Sequence, residues 1–233
     1  MDLVLNSGGI SMLQLSDQFK EMYPNAHIGY IAMSNLQNNI SSEELLHKKK
    51  LLEEDIRKKY KDCSKSELAK KEPLQFYVKY YKKFKKTYHV LLQLESIAKK
   101  GRDIPNVDCL VEAMFMAEVK NHLLTAGHDM EKVSFPITVD VSNGTEDYVC
   151  MSGKEEKCHS GDMYMRDQEG ILSCIVSGPD KRSRISMNTR KCIYVVYGPE
   201  GVNKEMINEH LQEIKDNVSL ICKDVEIDKL EVL

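Results

Sequence analysis

Five lysines and three aromatic residues share the eight positions Lys79-Tyr80-Tyr81-Lys82-Lys83-Phe84-Lys85-Lys86. Ammonium groups bind phosphates as point charges, and aromatic rings left in solvent stack on unpaired bases. The segment therefore reads in two ways. It is a nucleic-acid contact built on Lys82, Lys83, Lys85 and Lys86, or a helix that turns Tyr77, Tyr81 and Phe84 into a core and leaves its lysines in water. Charge concentrates again in Ser177-Gly178-Pro179-Asp180-Lys181-Arg182-Ser183-Arg184-Ile185, where a turn forced by Gly178 and Pro179 exposes one carboxylate and three cations. Such a loop, set between two apolar runs, is an edge suited to an anion or carboxylate, or simply a solvated hairpin tip.

Other residue types offer less. Glu118 and His122 stand four apart on a helical pattern, a spacing that places two ligands on one metal, and Glu112, His128 and Asp129 lie nearby. There is no His-Glu-x-x-His motif and no third ligand at suitable spacing, so no metal is expected and structural or surface histidines are the favoured reading. Seven cysteines, with no Cys-x-x-Cys pair, encode neither a disulfide framework nor a zinc site, and reduced, mostly buried thiols are expected. Gly8-Gly9 lacks the strand, Lys and Ser/Thr of a phosphate-binding loop, and no Gly-x-Ser-x-Gly elbow occurs. Nucleotide chemistry and cofactors are therefore not expected.

The elements that must hold these groups are legible as a helical first half and a strand-rich second half. A buried strand is predicted at Ala26 to Met33, and helices at Ser41 to Lys61, Leu74 to Tyr88, His89 to Lys100 (stopped by Gly101) and Val107 to Leu124, the last a largely buried central helix. Strands are predicted at Phe135 to Val141, Asp147 to Met151, Asp162 to Asp167, Ile171 to Val176 and Cys192 to Tyr197. A helix over Asn203 to Ser219 and a strand over Leu220 to Ile227 close the chain. With no repeat and no linker, 1–233 reads as one α+β domain with a mixed or antiparallel sheet.

Composition sets outer bounds. The chain has 233 residues, 42% of them hydrophobic, and a formal net charge of -3. That balance argues against a surface that grips nucleic acid everywhere, while leaving room for a local basic patch. No apolar run approaches the roughly 18 residues of a membrane span, and the first fifteen residues lack a signal-peptide pattern, so a soluble cytoplasmic protein is expected.

The order of several short motifs resembles the tRNA-editing domain of the phenylalanyl-tRNA synthetase beta subunit, formed by its fused third and fourth modules, and the free-standing bacterial proteins built on it. The motifs are Tyr81-Lys82-Lys83-Phe84, Gly101-x-x-Ile104-Pro105-Asn106 with Leu110-Val111-Glu112, Gly127-His128-Asp129, Gly161-Asp162-Met163-Tyr164-x-x-Asp167, Gly178-Pro179-Asp180-x-Arg182-x-Arg184-Ile185 with Thr189, and Tyr197-Gly198-Pro199-Glu200-Gly201. Phe19 to Gly29 is similar to the family's opening strand region. The resemblance runs from about residue 19 to residue 220 and implies a three-layer α+β fold with a large mixed, largely antiparallel sheet flanked by helices.

The resemblance also implies an activity, hydrolysis in trans of wrongly charged aminoacyl-tRNA. It implies a pocket lined by Glu112, His128, Ser177, Asp180, Arg182 and Arg184, with Lys82, Lys83, Lys85 and Lys86 on tRNA phosphates. Ester hydrolysis there needs a positioned water and a stabilised oxyanion, not a covalent nucleophile. The family's pocket histidine and glutamate fall at Ala126 and Val195, and an asparagine of the family falls at Phe115, so this pocket is expected to be more apolar. The alternative is a non-catalytic amino-acid or small-molecule binding protein, in which Arg182 or Arg184 clamps a carboxylate and Glu112 receives an amine. A purely structural interaction module is the third reading.

Overall fold

The structure, a computed structural model, describes residues 11–38 and 42–233; Gly8-Gly9 and Ser41 lie outside them. In chain order the elements are β1 (Leu13–Leu15), α1 (Asp17–Met22), β2 (His27–Ser34), α2 (Glu43–Tyr60), α3 (Lys65–Leu68), α4 (Leu74–Lys83), α5 (His89–Lys100), α6 (Cys109–Asn121) and β3 (Leu124–Asp129). One 3₁₀ turn at Met130–Lys132 leads into β4 (Ile137–Val141), β5 (Asp147–Val149), β6 (Glu155–Lys157), β7 (Met163–Arg166), β8 (Ile171–Cys174), β9 (Gly178–Pro179), β10 (Cys192–Gly198), α7 (Lys204–Ser219) and β11 (Glu226–Val232).

The architecture is α+β. Its strands are shared between a mixed five-stranded sheet, β1-β4-β7-β8-β9, and an antiparallel four-stranded sheet, β11-β2-β10-β3, with β5 and β6 as a separate hairpin. In the mixed sheet only the β1 to β4 pairing is parallel among those described. Strand β10, Cys-Ile-Tyr-Val-Val-Tyr-Gly, is buried along its whole length, as a continuous apolar run of strand length requires. No helix among the described residues is long and apolar enough to cross a membrane.

Buried tyrosine hydroxyls tie helices to sheets. Tyr194 on β10 donates to the Leu110 carbonyl of α6 at 2.9 Å, and Tyr77 on α4 donates to the Tyr197 carbonyl of β10 at 2.6 Å. A buried hydroxyl left without a partner costs about 1–3 kcal/mol, so each bond fixes where its helix sits. Ser42 caps α2 by accepting from the Leu45 amide at 3.1 Å.

Three departures from the sequence reading matter. The central helix ends at Asn121, because His122 adopts the left-handed conformation (φ 63°) and releases the chain into β3. The last strand is Glu226–Val232; Leu220 to Cys222 instead close the turn after α7, and β11 is a largely exposed edge whose charged residues mask it. Finally, Cys158 and Cys174 are disulfide-bonded, with Cα atoms 5.9 Å apart. The expectation of thiols alone is corrected. A separation of 16 residues says nothing about pairing until the β5-β6 hairpin folds beside β8.

Candidate functional site

Val111, Met114, Phe115 and Glu118 follow an i, i+3, i+4, i+7 pattern, one face of α6, and this face walls a cleft of about 360 Å³. Opposite stand the β8 to β9 turn, Cys174 to Pro179, and Arg184. Leu124 to Gly127 of β3 and Tyr197 form the floor, and His89 and Gln93, one helical turn apart on α5, close the side. Gly127 keeps the floor clear: a Cβ there would lie 2.9 Å from the Ile185 side chain. The turn is braced from α4. Tyr81 donates to the Ile175 carbonyl at 2.8 Å, and Tyr80 donates at 2.7 Å to Asp162, which in turn accepts the Val176 amide at 3.0 Å.

The chamber is neutral inside and cationic at its mouth. Burial pushes the Glu118 carboxyl up to about 8, against the pull of the Thr125 amide it accepts at 2.8 Å, so it is a carboxylic acid at neutral pH. Burial lowers His89 to about 4 and keeps its imidazole uncharged. Gln93 Oε1 is buried without a hydrogen-bond partner among the described residues. Arg184 is exposed, and no carboxylate among the described residues pairs with its guanidinium.

Of the residues singled out from the sequence, Ser177 and Arg184 line this cleft and four others do not. Glu112 lies about 100° round the helix from Val111. There it pairs with Lys49 of α2 at 3.1 Å and accepts the Val107 amide at 2.9 Å. Arg182 grips Asp167 through two nitrogens at 2.9 and 3.0 Å and the Lys132 carbonyl at 2.7 Å. Burial alone would raise the Asp167 carboxyl, but Arg182 and the amides of Ser134 and Glu169 hold it below its usual value.

Asp180 receives the amides of Arg182 and Ser183 and the Ser183 hydroxyl, and His128 Nδ1 lies 2.6 Å from that hydroxyl. A serine, a histidine and an aspartate thus meet, but the hydroxyl sits between the other two instead of beside the imidazole alone. All three are buried, and desolvation together with the Arg182 charge lowers His128 to about 3. This is a lock under the loop rather than a nucleophile.

Lys82, Lys83, Lys85 and Lys86 are exposed, and none of them pairs with a carboxylate among the described residues. Tyr77, Tyr80 and Tyr81 are buried and Phe84 is half-buried against the core, so the tyrosines build the inner face of this segment and are not available for stacking on bases. Glu118 and His122 do not converge: Glu118 holds the Thr125 amide, whereas the His122 ring packs on Tyr60 with centroids 6.0 Å apart. Among the described residues no three His, Cys, Asp or Glu side chains are grouped to hold a metal. Glu118, His89 and Gln93 were missed as cleft residues, although helical spacing could have placed Glu118 with Met114 and Phe115.

No family model and no curated protein matches this sequence. The fold is similar to a solved aminoacyl-tRNA synthetase fragment. It is an N-terminal fragment of the phenylalanyl-tRNA synthetase beta subunit from Pyrococcus horikoshii, matched with a TM-score of 0.51 at 11% identity over 96% of this chain and 55% of that one. The chain thus spans about half the length of the fragment, and at that identity the likeness establishes the fold alone.

Proposed function

We propose that this chain binds the aminoacylated end of tRNA, the amino acid in the cleft and the nucleic acid across the lysines that end α4, and hydrolyses the ester in trans. The observation that carries this reading is the shared wall. Tyr80 and Tyr81 brace the cleft turn from the same helix whose end bears Lys82, Lys83, Lys85 and Lys86. An apolar side chain meets Met114, Phe115 and Leu124, while Arg184 at the mouth offers a cation to the terminal phosphates. Two uncharged groups in the chamber suit ester hydrolysis. The Glu118 carboxylic acid can donate a hydrogen bond to a developing oxyanion, and the His89 imidazole can take a proton from the attacking water and pass it to the departing ribose oxygen. The likeness to a fragment of a tRNA synthetase subunit supports a tRNA-related role.

The test is deacylation of a panel of mischarged tRNAs, together with tRNA affinity measured as a function of salt. Replacing the four lysines by alanine should flatten the log-log salt slope by roughly 3, at about 0.7 per phosphate contact. An unchanged slope refutes the basic contact. Thermal stabilisation by free amino acids with no response to tRNA would establish the amino-acid binding alternative, which the partnerless Gln93 Oε1 favours.

A further inference from the structure

A different face of α4 opens on a second cleft, of about 230 Å³. Phe76, Lys79, Tyr80 and Lys83 have the i, i+3, i+4, i+7 spacing of one helical stripe and form one wall; Met22 to Ala26 and Pro199-Glu200 complete it. Lys83 Nζ sits 5.3 Å from the ring centroid of Tyr23 and 5.5 Å from that of Tyr80. Both rings are fixed from behind, because Tyr23 donates to the Gly161 carbonyl at 2.5 Å and Tyr80 donates to Asp162. Phe76 is fixed as well, lying so close over Gly201 that a Cβ there would come within 2.3 Å of the ring. The one acidic residue in the lining, Glu200, is paired with Lys79 at 3.2 Å. One positive charge is therefore left over, on Lys83, in a cleft with rigid aromatic sides.

Such a cleft suits a ligand with a single negative charge and a flat or apolar body. What distinguishes a polynucleotide from a lone anion is the continuation of charge. Lys82, Lys85 and Lys86 lead from Lys83 round the end of α4 to Tyr88 and His89, and His89 lines the first cleft. A free metabolite would need Lys83 alone, whereas a strand running from one cleft to the other would meet all four cations.

We propose that the second cleft is a nucleotide subsite, holding one phosphodiester on Lys83 and its ribose or base against Tyr23 and Phe76, for the RNA strand whose aminoacylated end occupies the first cleft. This rests on the function proposed above.

The two clefts carry separate methionine reporters: Met22 lines the second, Met114 and Met151 the first. The full chain, labelled with ¹³C at its methionine methyls, is titrated with a single-stranded ribopentanucleotide ending in CCA, and separately with a 3′-aminoacylamino-adenosine. The oligonucleotide should shift Met22 saturably. Lys83→Gln should weaken that response about tenfold, and Lys83→Arg should restore it to within threefold. A Met22 signal that stays still, an undiminished response in Lys83→Gln, or the same saturation with inorganic phosphate alone would overturn the nucleotide subsite. Should Met22 respond as expected while the aminoacyl analogue leaves Met114 and Met151 unmoved, the subsite stands and the reading of the first cleft fails.

Discussion

Arg182 and Arg184 leave the same short loop and do opposite work. Arg182 is committed to a buried carboxylate, Asp167, whose side chain is fully shielded, while Arg184 has no acidic partner among the described residues and lines the cleft. Removing Arg182 leaves Asp167 without its counter-ion, so Arg182→Ala should cost about 2 kcal/mol of unfolding free energy, less than a fully buried pair because the guanidinium is partly exposed. Arg184→Ala should leave stability within about 0.5 kcal/mol and weaken an anionic ligand roughly tenfold. Urea unfolding and tRNA titration of both variants check the pair; a stability loss at Arg184 without a binding loss would reverse the assignment. Nothing in the string Asp180-Lys181-Arg182-Ser183-Arg184 separates these roles, because Asp167 comes from a different strand end and is invisible to local pattern. Glu112 stands away from the cleft for a related reason. Its neighbours Val111, Met114 and Phe115 share the cleft face, whereas a position 100° round the helix meets Lys49 of α2.

Helix α4 ends in a motif usually completed by glycine. The Lys85 amide donates to the Lys82 carbonyl, the Lys86 amide to Tyr81, and Lys85 takes the left-handed conformation at φ 57°. A side chain there costs about 1–2 kcal/mol relative to glycine. Lys85→Gly should therefore raise stability by about 1 kcal/mol in thermal or urea unfolding and at the same time weaken tRNA and flatten its salt dependence. A gain in stability with unchanged binding would mean that the cation at this strained position serves no contact. The disulfide is the other device at this scale. It ties the end of the β5-β6 hairpin, which carries Met151 beyond β5, to Cys174 on the cleft wall. Alkylation of the denatured chain should modify five thiols without reductant and seven with it. Closing a loop of this length is worth about 3 kcal/mol, so reduction should lower the urea midpoint accordingly. Helix α5 was readable to the residue, because Gly101 marks its end and its apolar spacing is strong. Strand β3 was not: its Leu-Thr-Ala-Gly-His-Asp follows a helix stopped by a histidine, with neither Gly nor Pro to signal the break.

Across the whole molecule, buried ionisable groups of opposite sign set the pH dependence of stability. Desolvation lowers four imidazoles, His89 and His122 to about 4 and His128 and His210 to about 3, so in acid the unfolded chain binds protons that the folded one refuses. Three carboxyls act the other way, Glu118, Asp162 and Asp180. Burial raises Glu118 to about 8 and Asp162 to about 7, so between their unfolded values and these values the folded chain holds protons that the unfolded one releases. At pH 5 the unfolded state thus gains about four protons on the imidazoles and loses about two from Glu118 and Asp162, with Asp180 acting in the same direction as these carboxyls. The net uptake is at most about two, and stability climbs with pH by up to about 3 kcal/mol per unit. At pH 6.5 the unfolded imidazoles are half neutralised and by about pH 7.5 essentially only the carboxyls remain, so stability turns over between roughly pH 6.5 and 7.5 and declines toward pH 8, where Glu118 ionises in the folded chain. Glu118→Gln keeps an oxygen for the Thr125 amide and removes the titration. It should abolish most of the decline between pH 7 and 8 and steepen the acid limb, as read by urea midpoints across pH 4.5 to 8.5. A variant curve parallel to the wild type would mean that Glu118 is already ionised in the native protein, and with it the neutral chamber on which the proposed ester hydrolysis rests would be lost.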